Sequence, residues 1–289
     1  MEALTEQERA AAGAPGRLKG RAVTVVGAGI GGLAVAVAMA RRGARVTVIE
    51  QAPEITEIGA GLQITPNGAA VLAALGLGRA LGRIGVRAGE VRLHDGLRDE
   101  DAPLARVDLR GTLAGNPHGY WLVHRADLVA MLLAAARRLG VQIVTGARVV
   151  GVALGFDEAV LAMESGSKRR TRLLIGADGL NSVVRVALGN AEEPRFTGQL
   201  AWRALVEPLH VPLWEVGDAV RLALGPGRHI VCYPLRGGRL LNLVAVEERA
   251  RWSEADAEAT RDPGAMRAAF ADFAPRWRRL LACAREPRP

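Results

Sequence analysis

The spacing of apolar and polar positions predicts alternating strands and helices in the first half of the chain. Ala22–Val26 and Arg45–Ile49 are short runs rich in β-branched residues, which are typical of parallel strands buried on both faces. Between them, Ile30–Arg42 has the apolar spacing of a helix, and Gly43 provides its end. Together these segments predict a strand–helix–strand unit of parallel topology.

Further elements follow downstream of this unit. Thr65 as N-cap and Pro66 in the first helical position predict a helix over residues 65–76, and a second strong helix is predicted over residues 126–140. Shorter apolar runs predict strands at Val91–His94, Tyr120–Val123, Val141–Val144, Val149–Leu154 and Leu173–Gly179. We expect the last of these to be a buried strand that ends in a tight turn.

The second half of the chain has a different pattern. Segments separated by glycine and proline clusters predict an antiparallel sheet, followed by a helical tail from Ser253. The strands of this sheet are expected at residues 201–206, 219–224, 229–234 and 239–246. The order of elements is α/β, then irregular, then α/β again, then mostly β, which predicts an α/β fold in which the chain visits two layers alternately.

Composition places the chain among soluble globular proteins and argues against nucleic acid as a partner. Hydrophobic residues make up 49% of the 289 positions and charged residues 24%. The net charge of +8 could attract nucleic acid. Nearly all of the positive charge, however, is arginine spread along the whole chain, whereas a nucleic-acid site concentrates it in one patch. We therefore expect no nucleic-acid partner.

The sequence contains no pattern typical of a disulfide framework, a metal site or a membrane segment. Cys232 and Cys283 have the spacing of neither kind of cysteine site. Residues 1–20 are acidic and rich in alanine without an apolar centre, so we expect a disordered tail rather than a secretory signal. The most apolar segment, Leu33–Ala40, is too short to cross a bilayer. These features predict a cytoplasmic protein without a membrane partner.

A glycine-rich motif between the first strand and the first helix predicts a dinucleotide site. Residues 27–32 form a G-x-G-x-x-G run. In this motif Gly27 permits the tight turn, Gly29 lets the backbone approach a pyrophosphate, and Gly32 lets helix and strand pack closely. Glu50 ends the second strand, where its carboxylate can accept hydrogen bonds from ribose hydroxyls, and this favours NAD or FAD over NADP. The alternative, a glycine-rich packing turn, leaves Glu50 unexplained.

A second glycine–aspartate turn carries a family resemblance. Residues 173–185 read LLIGADGLNSVVR, an apolar strand followed by Asp178, Gly179, Ser182 and Arg185. This stretch resembles the Asp-Gly fingerprint of the flavin-dependent aromatic hydroxylases, the single-component class A FAD monooxygenases. In that family the turn lies near the FAD pyrophosphate and is implicated in NAD(P)H use. The resemblance therefore implies that Asp178 helps to bind FAD.

Other stretches extend the resemblance over residues 21 to about 280. Residues 50–67 are similar to the segment beside the flavin, and the HRADL stretch is similar to the family's helix start, whose arginine contacts FAD. Arg125 would be that arginine. It also attracts notice because a cation at a helix N-terminus opposes the helix dipole, a penalty that a bound anion would remove; the alternative is a solvated arginine. Val149 lies in a stretch that is similar to the family's strand beside the adenine of FAD.

The resemblance implies the domain organisation and the activity. It implies a GR2-type, Rossmann-like FAD-binding domain interleaved with an antiparallel β-sheet substrate domain. The expected boundaries are residues 21–90 and 124–190 for the FAD-binding domain and residues 91–123 and 191–289 for the substrate domain. Members of the family hydroxylate a small aromatic, salicylate-like substrate with FAD as bound cofactor, NADH or NADPH as co-substrate, and O₂. A homo-oligomer is compatible with this organisation.

The stretches 202–207 and 233–246 are similar to the sheet that floors the family's substrate cavity, but the sequence assigns no catalytic base. His229 and Tyr233 lie on strands of this sheet, where a packed core residue is the commoner case. Gln63, in the loop beside the flavin, could contact a substrate.

The family's third FAD fingerprint, a Gly-Asp-Ala-Ala-His-Pro turn, does not occur, and the VGDAV stretch at residues 216–220 is a poor match. We therefore expect the chain to lack the last FAD-binding segment, with a strand and a helix of that domain, as a fragment or a natural short form. Weak FAD retention and impaired hydroxylation would follow.

Three alternative functions remain at this point. An FAD epoxidase or oxygenase for a polycyclic or isoprenoid substrate would share every motif described above. A non-catalytic remnant could bind a nucleotide through the first strand–helix–strand unit alone. An NAD-dependent dehydrogenase is disfavoured, because it would need no turn at Asp178 and because no catalytic Tyr/Lys or Cys/His set is evident.

Overall fold

The structure is a computed structural model that describes residues 18–55, 60–100, 102–207, 217–251, 253 and 262–284. The strands are β1 (Ala22–Val26), β2 (Arg45–Ile49), β3 (Gly61–Ile64), β4 (Val86–Arg87), β5 (Glu90–Asp95), β6 (Ala105–Asp108), β7 (Trp121–His124), β8 (Gln142–Val144), β9 (Val149–Leu154), β10 (Ala159–Met163), β11 (Lys168–Thr171), β12 (Leu174–Gly176), β13 (Gln199–Val206), β14 (Ala219–Gly225), β15 (Arg228–Leu235) and β16 (Leu240–Glu248).

The α-helices are α1 (Ile30–Arg41), α2 (Pro66–Ala74), α3 (Gly78–Ile84), α4 (Leu109–Thr112), α5 (Arg125–Arg138), α6 (Val183–Ala187), α7 (Pro263–Ala269) and α8 (Pro275–Ala282). Within the described ranges, no helix combines the length and the apolar character that a membrane span needs.

The chain divides into two compact units. The first holds the described residues within 1–58, 71–81 and 126–194, and the second holds those within 59–70, 82–125 and 195–289. The sequence predicts that all of residues 21–90 belong to the FAD-binding domain. In the structure, residues 59–70 and 82–90 belong to the second compact unit instead. The mixed α/β fold itself is confirmed, with each unit built on its own sheets.

The first unit is built on a four-stranded parallel sheet in the order β12-β1-β2-β8. The predicted strand–helix–strand unit is confirmed, since β1, α1 and β2 follow one another and β1 pairs with β2 in parallel over its whole length. Val23, Val25, Val46 and Val48 are buried, as the β-branched runs predict. This sheet places the carboxyl ends of four strands at one edge.

The strand predicted at Leu173–Gly179 exists but is less buried than expected. It is the short strand β12, whose residues are half-buried or exposed, and Leu173 before it is 39% exposed. The reason is its position, because β12 pairs with β1 on one side and no described strand pairs with its other side. An apolar run of this length does not reveal whether its strand lies at the centre or at the edge of a sheet.

An antiparallel three-stranded sheet, β11-β10-β9, completes the first unit. Strand β9 was predicted, but β10 and β11 were not. The sequence of β11, Lys-Arg-Arg-Thr, has no apolar alternation, so only its pairing with β10 makes it a strand. Residues from β9 and β10 join Val26 and Ile49 in a buried cluster that includes Val149, Leu161 and Met163.

The second unit is built on a six-stranded sheet in the order β13-β16-β15-β14-β5-β6. The four predicted antiparallel strands, β13 to β16, are confirmed. The sheet also contains β5, which pairs with β14 in parallel, and β6 at its edge. A separate three-stranded sheet, β3-β7-β4, belongs to the same unit.

Helices α7 and α8 cover one face of the six-stranded sheet. The predicted helical tail is therefore found in residues 263–282, while residues 254–261 lie outside the described part of the chain. The core under these helices contains Trp202, Phe270 and Trp277, each at most 1% exposed, and Phe270 meets Trp202 edge to face with ring centroids 6.2 Å apart. Phe273 belongs to the same core.

The same core buries a histidine, His94 of β5. Its ring meets Trp277 edge to face at 5.5 Å, and neither ring nitrogen has a hydrogen-bond partner among the described residues. Burial, and to a smaller extent the positive charges of Arg221, Arg276, Arg92 and Arg106 in that order, together lower the pKa of His94 to about 4. His94 is therefore neutral at pH 7.

This burial predicts an acid-sensitive fold. A histidine whose pKa is lower in the folded than in the unfolded chain destabilises the fold as the pH falls from about 6.5 towards 4, because only the unfolded chain takes up the proton readily. Over this interval the unfolding free energy of the parent should fall by up to about 3 kcal/mol more than that of the His94→Phe variant. Urea unfolding at pH 7, 5.5 and 4.5 measures this, with His118→Phe as the control for loss of an imidazole. Parallel pH profiles for parent and His94→Phe would contradict the prediction.

Candidate functional site

The carboxyl ends of the parallel strands in the first unit bring distant segments together. Gly27 follows β1, Glu50 follows β2, and Ala177 and Asp178 follow β12. Backbone hydrogen bonds continue the sheet into these loops: the Ala177 N–H donates to the Val26 carbonyl at 2.8 Å, and the Gly27 N–H donates to the Ile49 carbonyl at 2.8 Å. Loops that lie about 150 residues apart in sequence therefore meet at one sheet edge, which is the usual ligand position in parallel α/β sheets.

The glycine motif is required by the closeness of this meeting. Gly27 has φ +99°, and a Cβ on it would overlap the Ala177 carbonyl oxygen and lie 3.1 Å from the Asp178 Cα. A Cβ on Gly32 would overlap the Gly27 carbonyl oxygen. A Cβ on Gly29, in contrast, would meet no atom within 4 Å, so the space in front of this backbone is open. Two glycines thus serve the packing of the turn, and one borders free space.

Glu50 links the two loops beside it. Its Oε2 accepts a hydrogen bond from the Ala28 N–H at 2.7 Å, and its Oε1 accepts one from the Ala52 N–H at 2.9 Å. These bonds fix the carboxylate at the end of β2. Because each carboxylate oxygen has two lone pairs, both oxygens can still accept a bond from a ligand hydroxyl.

Asp178 stabilises its own turn. Its Oδ1 accepts from the Ser182 hydroxyl at 2.6 Å and its Oδ2 accepts from the Val184 N–H at 3.3 Å. Ser182 caps α6 by accepting from the Arg185 N–H, and the Arg185 guanidinium donates to the Leu180 carbonyl at 2.7 Å. The residues of the Asp-Gly motif therefore form one hydrogen-bonded loop, which holds Ala177 against the glycine turn.

These loops enclose a cavity of about 580 Å³ within the first unit. Five of the seven sequence-predicted cofactor residues line it: Gly27, Gly29, Glu50, Val149 and Asp178. Gly32 lies behind the turn and packs against it. The polar lining residues Gln51, Arg148 and Asn181 were not predicted, although each directly neighbours a predicted residue or its loop.

Arg125, like Gly32, is a predicted cofactor residue that does not line this cavity. It begins α5 and belongs to the second unit, and its backbone N–H donates to the Ala60 carbonyl at 3.2 Å. Ala60 belongs to the stretch 50–67, which resembles the segment beside the flavin. Residues 56–59 of this stretch lie outside the described residues. A contact between Arg125 and a cofactor remains a prediction.

A second polar group lies in the second unit around Tyr233. The Tyr120 hydroxyl donates to Gln63 Oε1, and burial raises the pKa of Tyr120 above its usual value. Burial also raises the pKa of Tyr233, which is 3% exposed, while the positive charge of Arg203 and a hydrogen bond with Gln63 oppose this rise. Asn242 on the neighbouring strand accepts a hydrogen bond from the Gly61 N–H. The sequence singled out Tyr233 and Gln63, but not Tyr120 or Asn242.

Two further sequence candidates lie elsewhere in this unit. His229 on β15 is half-buried, and burial lowers its pKa while the negative charge of Glu248 opposes the shift. Asp218, from the VGDAV stretch, precedes β14 and forms an ion pair with Arg110. Asp218 is thus engaged with a residue of its own unit, as expected for a stretch that matches the flavin fingerprint poorly. Val216 lies outside the described residues.

Comparisons with known proteins agree with this geometry. A family model described as an FAD binding domain matches residues 21–261. 3-Hydroxybenzoate 6-hydroxylase 1 from Aquipseudomonas alcaligenes is 34% identical over 283 residues, which cover 92% of this chain and 70% of that protein. 3-Amino-4-hydroxybenzoate 2-monooxygenase from Streptomyces cremeus is 38% identical over 227 residues, which cover 78% of this chain and 56% of that protein.

The solved structures give the same result for the fold. HpxO from Klebsiella pneumoniae, in complex with FAD and uric acid, has a TM-score of 0.77 to this chain at 27% identity, covering 91% of this chain and 65% of that one. The chain thus spans between about half and somewhat over two thirds of the length of these proteins.

The two neighbouring helix glycines provide a matched test of the glycine turn. Gly32→Ala places a Cβ on the Gly27 carbonyl oxygen, and we expect the melting temperature of the ligand-free protein to fall by roughly 5 °C or more. Gly31→Ala, where a Cβ meets no atom within 4 Å, should leave the melting temperature unchanged or raise it. Circular dichroism on both variants measures the difference. Equal melting temperatures would show that the turn does not need the close approach.

Proposed function

This chain belongs to the FAD binding domain family of the class A aromatic hydroxylases, and we propose that it is an FAD-dependent monooxygenase that hydroxylates a small aromatic acid with NAD(P)H and O₂. One observation carries the proposal: the loops headed by Gly27 and Asp178 are in contact and line one cavity together with Glu50. A dehydrogenase or a single-turn nucleotide site would not require the second loop.

The residues of this cavity fit the nucleotide part of FAD. The open space at Gly29 lets a diphosphate approach the backbone N–H groups at the start of α1, which carry a partial positive charge. The Glu50 carboxylate is fixed where it can accept from ribose hydroxyls, and Val149 offers an apolar strand edge to a purine. Asp178 acts through its loop, which it holds in shape against the glycine turn.

When bound, FAD supplies the redox chemistry that activates O₂ for transfer of one oxygen atom to an aromatic ring. The task of the protein is to hold the cofactor, to orient the ring and to keep water out. The first of these tasks belongs to the glycine turn, Glu50 and the Asp178 loop.

The six-stranded sheet offers a surface that suits an aromatic acid. Its face opposite to α7 and α8 carries half-buried apolar side chains, Leu205, Leu222, Val231 and Val244, together with several polar residues. Two of the polar groups on this face are Arg203 and Tyr233, and the charge of Arg203 acts on the Tyr233 phenol. An apolar floor with few polar groups is the usual character of a small-molecule site.

The roles of these two residues follow from their chemistry. The Arg203 guanidinium is exposed and can pair with a substrate carboxylate. Tyr233, whose raised pKa keeps its phenol protonated at neutral pH, can donate a hydrogen bond to a substrate oxygen but is a weak base. The two relatives whose names specify hydroxybenzoates support an aromatic acid over a polycyclic or isoprenoid substrate. A cytoplasmic location, a homo-oligomer and the absence of nucleic-acid or membrane partners stay predictions.

Glu50→Gln tests the cofactor site. Loss of the charged acceptor should weaken FAD binding by roughly 10- to 100-fold, since a hydrogen bond to a charged group contributes about 1.5–3 kcal/mol. Glu54→Gln removes the same charge from an exposed position four residues away and should leave the affinity unchanged. Quenching of flavin fluorescence on titration with each protein gives the dissociation constants. Unaltered binding by Glu50→Gln, or no binding by the parent, would refute the assignment of this cavity to FAD.

Arg203→Gln tests the substrate face. We expect the FAD-loaded variant to bind 3-hydroxybenzoate about tenfold more weakly, because one charge-assisted pair is lost, while binding of phenol, which has no carboxylate, stays unchanged. Arg83→Gln, another exposed arginine of the second unit, should alter neither affinity. Perturbation of the flavin spectrum on titration reports both. An equal effect on the acid and on phenol would exclude Arg203 as the carboxylate partner.

A further inference from the structure

The first unit contains a second, larger cavity that the proposed function does not use. Its volume is about 1040 Å³, and it lies along the starts of β1 and β2, with Ala22 and Arg45, and along the end of β11. The nucleotide cavity at the carboxyl ends of the strands shares one lining residue with it, Ile49. The two cavities are therefore neighbours with different walls.

The floor of this second cavity is polar where a parallel sheet is ordinarily apolar. Thr24 of β1 pairs in register with Thr47 of β2, and Thr47 pairs in register with Gln142 of β8. The Thr47 hydroxyl donates to Gln142 Oε1 at 3.3 Å, and Thr24 and Thr47 both line the cavity. Strands covered on both faces are usually continuous runs of valine, isoleucine and leucine. This polar row indicates a sheet face that meets water or a ligand.

The walls of the cavity carry an excess of positive charge. Five arginines line it, and the only acidic lining residue is Glu158, which already forms an ion pair with one of them, Arg170. The other four are Arg21, Arg45, Arg169 and Arg172. Of these, Arg45 also donates to the Gly20 carbonyl at 3.2 Å. Four positive charges therefore border one concavity without a counter-charge in its lining.

A solvated arginine surface is the plainer interpretation in a chain so rich in arginine. On a convex surface, however, guanidinium groups diverge into water and repel one another little. Here they border a concave space over a floor with the hydroxyl groups of Thr24 and Thr47, so that one anion in this space can contact several of them. The lack of apolar alternation in β11 fits this placement. Three of its four residues are cationic, and two of these, Arg169 and Arg170, line the cavity.

We propose that this cleft, lined by Arg21, Arg45, Arg169 and Arg172 over Thr24 and Thr47, binds a nucleotide-sized ligand through its diphosphate group. The arginine fork matches phosphate oxygens in two-point hydrogen bonds, and the Thr24 hydroxyl can donate to the same oxygens. The volume is at the upper end of small-molecule sites and accommodates a nucleotide. Side-chain charge is needed here because the amino ends of parallel strands have no helix N-terminus directed at them.

The chemistry is shared by a free nucleoside diphosphate and by the diphosphate of a pyridine dinucleotide. The site does not depend on the proposed oxygenase function, because its residues do not line the cavity assigned to FAD. It adds a second nucleotide position to the same unit.

The test is a calorimetric titration of ADP into the FAD-saturated protein, so that the Gly27 cavity is filled. The Arg169→Ala/Arg172→Ala variant should bind ADP at least tenfold more weakly than the parent. The Arg137→Ala/Arg138→Ala variant removes the same charge from exposed positions in the last turn of α5 and should bind ADP like the parent. Gly29→Val, which places a branched side chain in the first cavity, should also keep ADP binding, and this arm works even if FAD does not bind at all.

Hydrogen exchange localises the ligand. ADP should protect the backbone amides of residues 21–24 and 168–173 in the parent and not in the Arg169→Ala/Arg172→Ala variant. Competition by NADPH would identify the pyridine dinucleotide as the source of the diphosphate, and ADP binding without such competition would identify a free nucleotide.

Three results would overturn the proposal. The first is equal ADP affinity in the two double-arginine variants. The second is binding of inorganic phosphate as tight as that of ADP, which would indicate unspecific attraction of anions. The third is tight, salt-sensitive binding of duplex DNA that the Arg169→Ala/Arg172→Ala variant loses, which would assign the cleft to nucleic acid.

Discussion

The contact between the turn at Gly27 and the turn at Ala177 is the constraint on which the nucleotide site depends. Strands β1 and β12 pair in parallel and end together, so the loops that follow them must pass within van der Waals distance. A side chain at Gly27 would close the gap by overlapping the Ala177 carbonyl oxygen. Because the glycine turn, Glu50 and the Asp178 loop are all anchored to this one sheet edge, the cavity between them has a fixed shape before any ligand arrives.

The two anion sites that we propose in the first unit differ in the source of their positive potential. In the proposed site at the carboxyl ends, this potential comes from backbone N–H groups and the dipole of α1, and we propose that Glu50 accepts hydrogen bonds from hydroxyl groups of the ligand. In the proposed cleft at the amino ends, it comes from the side chains of arginines on or beside β11 and at the strand starts. The first site needs glycine so that a phosphate can approach the backbone closely, and the second needs long charged side chains that reach the phosphate.

In the second unit, the two faces of the six-stranded sheet differ in their side chains. The face under α7 and α8 holds Trp202, Phe270 and Trp277 and keeps His94 neutral by burial. The opposite face carries half-buried aliphatic side chains together with the polar residues Arg203, Tyr233 and Asn242. A buried aromatic core behind the sheet thus supports the face that we propose as the substrate surface.

The sequence alone determined the elements whose signals are local. The β-branched runs, the glycine motif and Glu50 predicted β1, α1, β2 and the nucleotide site, because turn geometry and burial on both faces restrict the residue types at each position. Only the tertiary structure decided which strands became neighbours. It placed β12 at a sheet edge, paired β14 with β5 in parallel, made a strand of the cationic β11, and grouped Arg125 with the second unit. These features depend on hydrogen bonds between residues far apart in the chain, and no local pattern of apolar and polar positions encodes the partner of a strand.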